Sequence, residues 1–507
     1  MKKETNVLNA FGFAHKAGIL MPISSLPSRY GIGSFGKEAF AFVDFLVESG
    51  QTCWQVLPLN PTAYGDSPYQ SPCSFAGNPY FIDLDLLCEE GLLTADEVGN
   101  AFCEEERVPY GKLFFERYPL LRHAFARFDQ AADDYLRFCQ NKSYWLDDYS
   151  LFMALKVHYG YAPFVTWEPK HRMAEEARKL AADFAEDIAF FKFLQYQFDK
   201  QWKALRAYAV SKGLFILGDL PIYVAHDSVE VWSAPKWFSL DENGYPNEVA
   251  GCPPDDFCED GQLWGNPLYN WQAIKENGFS FWIERLRRMA ELYDIIRIDH
   301  FRAFAGYYAI PYGDKTARNG CWKEAPGKEL FDAVRKAMPG IKIIAEDLGF
   351  ITEDVRELLA YTAIPGMKML QFAFGSDDNE YLPCNYVSDN CIVYTGSHDS
   401  ECTATWCSTI PPHEIDRFNR EAPMTEDCES PVDALILAAH KSRANLSVVP
   451  IQDYLGLTSE EARINTPSMA EGNWAFRLPY GALSKALAAK IARFTALGKR
   501  TKEPSLE

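Results

Sequence analysis

The chain has 507 residues, of which 48% are hydrophobic and 24% are charged, which is typical of a globular protein that buries a substantial core. The mean hydropathy is −0.23 and no run of 18 apolar residues occurs, which argues against a membrane-spanning helix. Lysine plus arginine total 50 against 70 for aspartate plus glutamate, and the net charge of −20 disfavours nucleic acid as a partner.

The N-terminal segment MKKETNVLNAFGF (1–13) has two lysines but no continuous apolar stretch and no small-residue cleavage site. We therefore expect a cytoplasmic protein. The 13 cysteines are scattered without a CxxC, and close pairs such as Cys252 and Cys258 have poor spacing for zinc. We expect these cysteines to be reduced thiols, most of which pack in the core.

Eight short apolar runs that end in polar residues are predicted to be strands. They lie at 18–23, 53–59, 214–222, 295–301, 341–349, 367–374, 391–399 and 446–451. Helical patterns separate many of these strands, for example at 36–50, 281–294 and 431–444. In the first of these helices we expect Phe40, Val43, Leu46 and Val47 to share the buried face.

Strands that are apolar on both faces and alternate with helices indicate a parallel sheet, and eight of them predict an α/β fold, a (β/α)₈ barrel. The interval 60–213 is too long for one crossover and contains helical stretches at 133–160 and 174–212. We therefore predict one barrel domain over 1–507 with insertions around its C-terminal mouth. These insertions are a helical subdomain at about 60–213, substrate-covering loops at 223–275, and a shorter insertion at 400–430.

The run YDIIRIDHF (293–301) carries charged side chains within an otherwise buried strand. Burying a charge is costly unless the charge is paired or used. Because side chains alternate along a strand, Arg297 and Asp299 are expected to point into the barrel near its C-terminal mouth. In the fifth predicted strand Glu346 shares a face with Ile344, and in the seventh Asp399 lies just beyond the apolar residues. We expect the three carboxylates to converge at the end of the barrel where active sites lie.

Any one of these carboxylates is more often a helix cap or a loop residue, but three at three strand ends favour a chemical role. Arg297 is expected to lower the pKa of Asp299 and keep it ionised, which suits a nucleophile. Glu346 is expected in an apolar, cation-free environment, which suits a proton donor. Retaining cleavage of a glycosidic bond needs such a divided pair. Asp219, at the end of the third strand, is expected to support them.

A divalent metal site of the enolase type is the alternative chemistry for carboxylates on barrel strands. The polar segment 63–81, with Tyr64, Tyr69 and Tyr80, favours a sugar instead, because aromatic faces and hydroxyls suit sugar rings.

The segment GIGSFG (31–36) matches the GxGxxG pattern of dinucleotide sites. It follows the first strand at too great a distance to cradle a pyrophosphate. We interpret it as a flexible turn.

Eight ordered segments resemble the 4-α-glucanotransferases known as amylomaltase or disproportionating enzyme, over essentially the whole chain. They are GILMPISSLPSRYGIGSFG (18–36), YGDSPYQSPCSFAGNPYFIDL (64–84), GDLPIYVAHDSVEVW (218–232), GCPPDDFCEDGQLWGNPLYNW (251–271), IRIDHFR (296–302), AEDLG (345–349), YTGSHD (394–399) and EGNWAFR (471–477). The resemblance implies transfer of an α-1,4-glucan segment to the 4-hydroxyl of glucose or another glucan, through a covalent glycosyl-aspartate intermediate. It implies neither a cofactor nor a metal.

By this resemblance, Asp299 is the nucleophile, Glu346 is the general acid and base, and Asp399 stabilises the oxocarbenium-like transition state. The resemblance also implies a set of substrate-binding residues: Ser67, Tyr69, Gln262, Trp264, Arg297, His300, Asp347, His398 and Asn473. Tyr64 corresponds to a position associated in the family with a second, remote glucan site. The segment 251–267 is expected to be a loop over the mouth, in which Trp264 stacks on an acceptor sugar and helps to exclude water.

Other functions stay open on the sequence. The nearest is an α-amylase-like retaining hydrolase, which would not lengthen maltotriose. A glucan-binding protein without turnover and a metal-dependent barrel are the other two. The expected partners are α-1,4-glucans, such as maltooligosaccharides and starch- or glycogen-derived dextrins, with glucose as acceptor. We expect a monomer or weak homodimer that binds neither nucleic acid nor a membrane.

Overall fold

The structure is a computed structural model that describes residues 15–99, 106–254, 259–349, 351–467, 469 and 471–501. The expectations for the segment 1–13 and for Cys258 lie outside these residues. In the described ranges, no helix has the length and apolar character needed to span a bilayer.

The described residues contain twelve β-strands in two sheets. In chain order the strands are β1 (Lys16–Leu20), β2 (Cys53–Gln55), β3 (Phe215–Leu220), β4 (Glu248–Cys252), β5 (Gln262–Pro267), β6 (Ile295–Ile298), β7 (Gly306–Pro311), β8 (Cys321–Glu324), β9 (Ile343–Ala345), β10 (Gly366–Met369), β11 (Cys391–Tyr394) and β12 (Leu446–Pro450).

The larger sheet has eight strands in the order β10-β11-β12-β1-β2-β3-β6-β9, and every neighbouring pair is parallel. Its two edges also meet, because the N–H of Ala345 at the end of β9 donates to the carbonyl of Pro365 before β10 at 2.9 Å. The eight strands correspond one to one to the eight predicted apolar runs. The predicted (β/α)₈ barrel is therefore confirmed.

Helices surround this barrel. In chain order they are α1 (Lys37–Glu48), α2 (Leu84–Glu89), α3 (Ala95–Val98), α4 (Tyr110–Arg127), α5 (Asp133–His158), α6 (Pro169–Arg172), α7 (Ala174–Lys179), α8 (Ala185–Ser211), α9 (Val229–Ser233), α10 (Trp271–Glu276), α11 (Ser280–Leu292), α12 (Gly327–Ala337), α13 (Glu353–Thr362), α14 (Thr403–Ser408), α15 (Pro412–Glu421), α16 (Pro431–Lys441), α17 (Ile451–Leu455), α18 (Ser459–Ala462) and α19 (Lys485–Leu497).

The helix α1 has the predicted position but a shifted buried face. Val43 and Leu46 are buried as expected, whereas Val47 is 39% exposed. Phe42, which the pattern did not select, is buried and packs edge-on against Trp54 of β2, with ring centroids 4.9 Å apart. Because α1 contacts both α8 and α19, the buried face is set by two neighbouring helices as well as by the sheet.

The interval between β2 and β3 holds the helices α2 to α8. The predicted helices at 133–160 and 174–212 correspond to α5 and to α7 with α8, and a 3₁₀ turn at Ala181–Phe184 separates the last two. The helices α5 and α8 pack along each other. These helices share aromatic contacts, such as Tyr149 with Phe191 at a centroid distance of 6.4 Å.

A smaller antiparallel sheet with the order β5-β4-β7-β8 was not predicted. Its strands are short, and β8 is exposed or half-buried along its whole length. The apolar pattern that reveals a buried strand is therefore weak here. The strands β4 and β5 fall in a region that was predicted to consist of loops.

The glycine-rich turn at 31–36 is buried throughout, so the prediction that it is flexible is wrong. A Cβ atom at Gly33 would lie 1.8 Å from the carbonyl oxygen of Ile23, and one at Gly36 would lie 2.1 Å from Oδ2 of Asp83. The same carboxylate oxygen accepts a hydrogen bond from the hydroxyl of Ser34 at 2.6 Å. These glycines allow close packing of the backbone rather than motion.

Candidate active site

An arginine between two carboxylates lies at the C-terminal end of the barrel. Nη1 of Arg297 on β6 donates to both oxygens of Asp219 on β3, at 2.7 and 2.6 Å. The same nitrogen lies 3.0 Å from Oδ1 of Asp299, the residue that directly follows β6. Asp219 and Arg297 are buried, whereas the side chain of Asp299 is 27% exposed. Arg297 therefore neutralises Asp219 inside the barrel and contacts Asp299 at its mouth.

Tyr69 extends this group to the seventh barrel strand. Its hydroxyl donates to Oδ2 of Asp219 at 2.7 Å and lies 2.9 Å from Nε2 of His398. The rings of Tyr69 and His398 stack with an interplanar angle of 14°. The loop that carries Tyr69 is thus attached to the site by a hydrogen bond and by a ring contact.

Asp399 completes a continuous polar network that begins at Asp299. Oδ2 of Asp399 lies 3.2 Å from Nε2 of His398, and Oδ1 accepts a hydrogen bond from Nδ2 of Asn465 at 2.6 Å. Burial raises the pKa of Asp399, but His398 and Asn465 outweigh this effect and lower the pKa to about 2. Conversely, burial lowers the pKa of His398, but Asp399 outweighs it and the net shift is upward.

Sequence reasoning missed Asn465. Besides its side-chain bond to Asp399, its backbone N–H donates to the carbonyl of His398 at 3.1 Å. Asn465 lies in an irregular segment after α18, where neither apolar periodicity nor a strand end marks it. No local signal in the sequence distinguishes it from an ordinary loop asparagine.

The environment of Asp299 differs from the one expected. Burial raises the pKa of Asp299 to about 7, although the charge of Arg297 opposes this shift. The nearby carboxylates of Asp219, Glu346 and Asp399 raise it further. The expectation that Arg297 lowers the pKa of Asp299 and keeps it ionised is therefore wrong in its net direction, although Arg297 does oppose the upward shift.

Glu346 directly follows β9 and accepts two backbone hydrogen bonds. The N–H of His300 donates to Oε2 at 2.7 Å, and the N–H of Leu348 donates to Oε1 at 2.8 Å. Burial raises the pKa of Glu346, while Arg297 and the two amides oppose the shift. The upward direction agrees with the expectation, but the expected apolar, cation-free surroundings are wrong.

His300 has a φ of +52°, in the left-handed region that is costly for a residue with a Cβ atom. In this conformation the backbone N–H of His300 donates to the carboxylate of Glu346. Burial lowers the pKa of the His300 imidazole to about 3, so the ring is neutral. Its Nε2 atom is buried and has no hydrogen-bond partner among the described residues. A bound hydroxyl group would provide that partner.

Trp264 lies on β5 and its ring is perpendicular to that of His300, with centroids 4.7 Å apart. Its Nε1 donates to Oε1 of Gln262 at 3.0 Å. The prediction that 251–267 is a loop is therefore wrong at both ends of the segment, because Gly251 and Cys252 end β4 and residues 262–267 form β5. The smaller sheet, rather than a loop, places Trp264 against His300.

Two further predicted binding residues make contacts within the protein. Oδ1 of Asp347 accepts a hydrogen bond from the N–H of Met367 at 2.6 Å, and burial raises the pKa of Asp347 to about 6. Oδ1 of Asn473 accepts from the N–H of Thr466 at 2.8 Å, and its Nδ2 donates to the carbonyl of Met469 at 2.8 Å. Asn473 thus closes the loop that follows Asn465.

Only part of the segment 63–81 lies at the site. Oγ of Ser67 accepts a hydrogen bond from the N–H of Tyr69 at 3.2 Å. Tyr80 is buried and packs against Tyr118, with ring centroids 6.1 Å apart, so the prediction that it offers a face to sugar is wrong. The side chain of Tyr64 lies outside the described part of the structure, and the remote glucan site stays a prediction.

The cysteines and acidic residues do not form a metal site in the described ranges. All described cysteines are free thiols, and Cys321 and Cys384 are exposed. Within the described ranges, no three His, Cys, Asp or Glu side chains are grouped as the ligands of a metal ion are.

Comparisons with known proteins assign the chain to a family. The family described as 4-alpha-glucanotransferase matches residues 21–484. A 4-alpha-glucanotransferase of Clostridium butyricum is 46% identical over 94% of this chain and 99% of its own length. The corresponding protein of Thermus thermophilus is 45% identical over 94% of this chain and 97% of its own.

Solved structures give the same result. The amylomaltase from Streptococcus agalactiae in complex with acarbose superposes with a TM-score of 0.92 at 38% identity, and the match covers 96% of this chain and 100% of that chain. The amylomaltase from Corynebacterium glutamicum shares the fold, with a TM-score of 0.76 at 18% identity over 96% of this chain and 75% of that chain. The resemblance seen in the sequence is confirmed, and the chain belongs to the 4-alpha-glucanotransferase family.

Proposed function

We propose that Asp299, Glu346 and Asp399 perform the transfer of a glucan segment by a retaining double displacement. Glu346 protonates the oxygen of an α-1,4 bond while a carboxylate oxygen of Asp299 attacks the anomeric carbon. The bond to the reducing-end fragment breaks, and the remaining segment is held as an ester of Asp299. Glu346, now ionised, accepts the proton of an acceptor 4-hydroxyl, whose oxygen displaces Asp299 and restores the original α linkage.

The contact between Arg297 and Asp299 carries this assignment. The pair of Asp299 and Glu346 must hold one proton in the reactive state, on Glu346. Arg297 lies 3.0 Å from Asp299, so its charge favours the ionised form of this carboxyl against burial, which raises its pKa to about 7. Burial raises the pKa of Glu346, which keeps the proton available to the leaving oxygen.

Asp399 is proposed to stabilise the oxocarbenium-like transition state. Its low pKa keeps it ionised at neutral pH, and its side chain is 41% exposed to the cleft. A carboxylate in this position stabilises positive charge that develops on the sugar and accepts hydrogen bonds from its hydroxyls. His398 and Asn465 fix its orientation.

Transfer must compete with hydrolysis by water, so an acceptor gains only if it is positioned. We propose that Trp264 stacks on the acceptor sugar and that Nε2 of His300, beside it, hydrogen-bonds to a hydroxyl of the donor sugar. The perpendicular contact of the two rings and the unpartnered Nε2 support this assignment. Arg297, His398, Tyr69 and Asp347 are proposed to line the donor side of the cleft. Glucose and short maltooligosaccharides are the proposed acceptors.

Incubation with maltotriose, followed by chromatography, tests the proposed reaction. We expect glucose together with chains longer than maltotriose. A hydrolase of the α-amylase type would give only shorter products. The matched control is Asp299→Asn, for which we expect a loss of transfer of roughly 10⁴-fold or more in a folded protein.

A further inference from the structure

A buried carboxylate lies just after the eighth barrel strand, and the proposed chemistry gives it no role. The strand β12 ends at Pro450, and Asp453 lies in the following helix α17, where it is 2% exposed. Asp453 takes part in no ion pair within the described part of the chain. A buried carboxylate without a cation needs several hydrogen-bond donors to offset its desolvation.

Those donors come from the two ends of one loop. Oδ2 of Asp453 accepts hydrogen bonds from the hydroxyls of Thr395 and Thr403, at 2.6 and 2.7 Å, and Oδ1 accepts from the N–H of Thr403 at 3.1 Å. The loop 395–403 leaves β11 and enters α14. His398 and Asp399 lie in its middle. One carboxylate therefore holds both ends of the loop that carries two residues of the site.

Gln371 also holds the end of the loop that enters α14. Its Nε2 atom donates to the carbonyl of Glu401 at 3.0 Å and to the hydroxyl of Thr403 at 3.2 Å. The position of the loop therefore depends on hydrogen bonds at its two ends, three of which Asp453 accepts.

We propose that Asp453 is a positioning residue for the transfer reaction, because its bonds to Thr395 and Thr403 fix Asp399 at the cleft. The inference rests on the role of Asp399 proposed above. Asp453 contacts no substrate and acts only through the loop. Because Asp399 acts mainly on the distorted sugar of the transition state, a displaced loop lowers kcat more than it raises KM.

The first test is Asp453→Asn. This change replaces one accepting oxygen by an NH₂ donor, which cannot accept the hydrogen bonds from Thr395 and Thr403. A shift of about 1 Å in a catalytic group costs on the order of 10²-fold, so we expect kcat with maltotriose to fall about 10²-fold, with KM within about 3-fold. Inhibition by acarbose, whose unsaturated ring imitates a flattened sugar, should weaken in parallel with kcat. Wild-type kcat in a folded Asp453→Asn protein would overturn the proposal.

Asp433→Asn is the matched control for loss of a buried carboxylate. Asp433 is 1% exposed on the outer helix α16, accepts a hydrogen bond from the N–H of Glu429 at 3.0 Å and pairs with Lys490 at 2.9 Å. We expect this variant to lose stability while its kcat and its acarbose inhibition stay at wild-type values. An equal loss of kcat in both variants would show that Asp453 serves folding alone and would contradict the proposal.

If Asp453→Asn does not fold, Thr403→Val and Thr403→Ser test the same hydrogen bond from its other partner. Valine removes the hydroxyl bond to Asp453, and the bond that Gln371 donates to that hydroxyl, at nearly constant volume. We expect kcat to fall about tenfold, whereas serine keeps the hydroxyl and should restore most of it. Equal activities of the two variants would overturn the proposal. Asp399→Asn, measured in the same assay, distinguishes the role of Asp453 from that of Asp399. Wild-type activity in Asp399→Asn would refute the role of Asp399 itself.

Discussion

Nη1 of Arg297 lies 3.0 Å from Oδ1 of Asp299 and is at the same time within 2.7 Å of both oxygens of Asp219. One buried cation thus contacts both a buried carboxylate of the barrel and the proposed nucleophile. Arg297 and Asp219 lie opposite each other in the register of β3 and β6, so the barrel itself fixes this arrangement. Substitutions of Arg297 and Asp219 should therefore separate the contribution of this pair to stability from its contribution to catalysis.

We predict that Arg297→Met lowers the free energy of unfolding by about 3–5 kcal/mol, because it leaves the carboxylate of Asp219 buried and unpaired. Adding Asp219→Asn should recover part of this stability without recovering transfer, because Asp299 still lacks its cation. Urea unfolding and maltotriose transfer, measured on both variants, check this prediction. Recovery of activity in the double variant would contradict the role given to the contact with Asp299.

Glu346→Gln should abolish transfer from maltotriose, because the leaving oxygen is no longer protonated, with a loss of about 10²–10⁴-fold. An α-maltosyl fluoride needs no such proton, since fluoride is a good leaving group. We therefore expect this variant to release fluoride in a burst, as measured with a fluoride electrode. Asp299→Asn should give no burst, and equal bursts from the two variants would contradict the assignment.

The pair of His398 and Asp399 should show a defined pH dependence. The pKa of His398 is raised in the folded protein, so its stabilising contribution is complete below about pH 6.5 and disappears as the pH rises through the folded value. The pKa of Asp399 is lowered to about 2, so its contribution is present above about pH 3.8 and disappears as the pH falls toward 2.

In Asp399→Asn, the pKa of His398 should therefore move downward, since the main group that raises it is gone while burial remains. NMR titration of the histidine C–H signals measures this shift. Asp433→Asn, which changes a carboxylate far along the chain from this pair, provides the control and should leave the titration unchanged. An unchanged pKa in Asp399→Asn would show that the two side chains do not interact in solution.

Trp264→Ala should increase the ratio of hydrolysis to transfer. A stacked aromatic contact contributes about 0.5–1.5 kcal/mol, so we expect the KM for a glucose acceptor to rise up to about tenfold. The neighbouring Leu263 is 39% exposed and points to the opposite face of β5, which makes Leu263→Ala the matched control. An unchanged product ratio in Trp264→Ala would remove Trp264 from the acceptor site.

The barrel could be predicted because its signal is local. Apolar runs mark the eight strands, and side-chain alternation correctly places Arg297 and Asp299 on one face. The smaller sheet could not be predicted, because the exposed strand β8 shows no apolar period. The sheet also depends on the pairing of β7 with β4, which lies far earlier in the chain, and short strands of this kind leave little trace in composition.

The supporting residues of the site escaped prediction for a related reason. Asn465 and Asp453 reach the loop of Asp399 only through tertiary contacts, and nothing in their local sequence indicates this. The pKa of Asp299 depends on burial and on other carboxylates that meet only in the fold. The sequence shows that Arg297 is two residues from Asp299, but Arg297 is only one of several groups that shift the pKa of Asp299 in opposite directions.

In the proposed reaction, Asp299 holds a glucan segment covalently. Glu346→Gln incubated with α-maltosyl fluoride should accumulate this ester, because the variant lacks the base that activates the acceptor. Mass spectrometry after proteolysis should find one maltosyl group, on the peptide that contains Asp299. A label on another residue, or complete turnover of the fluoride with no labelled peptide, would contradict the account.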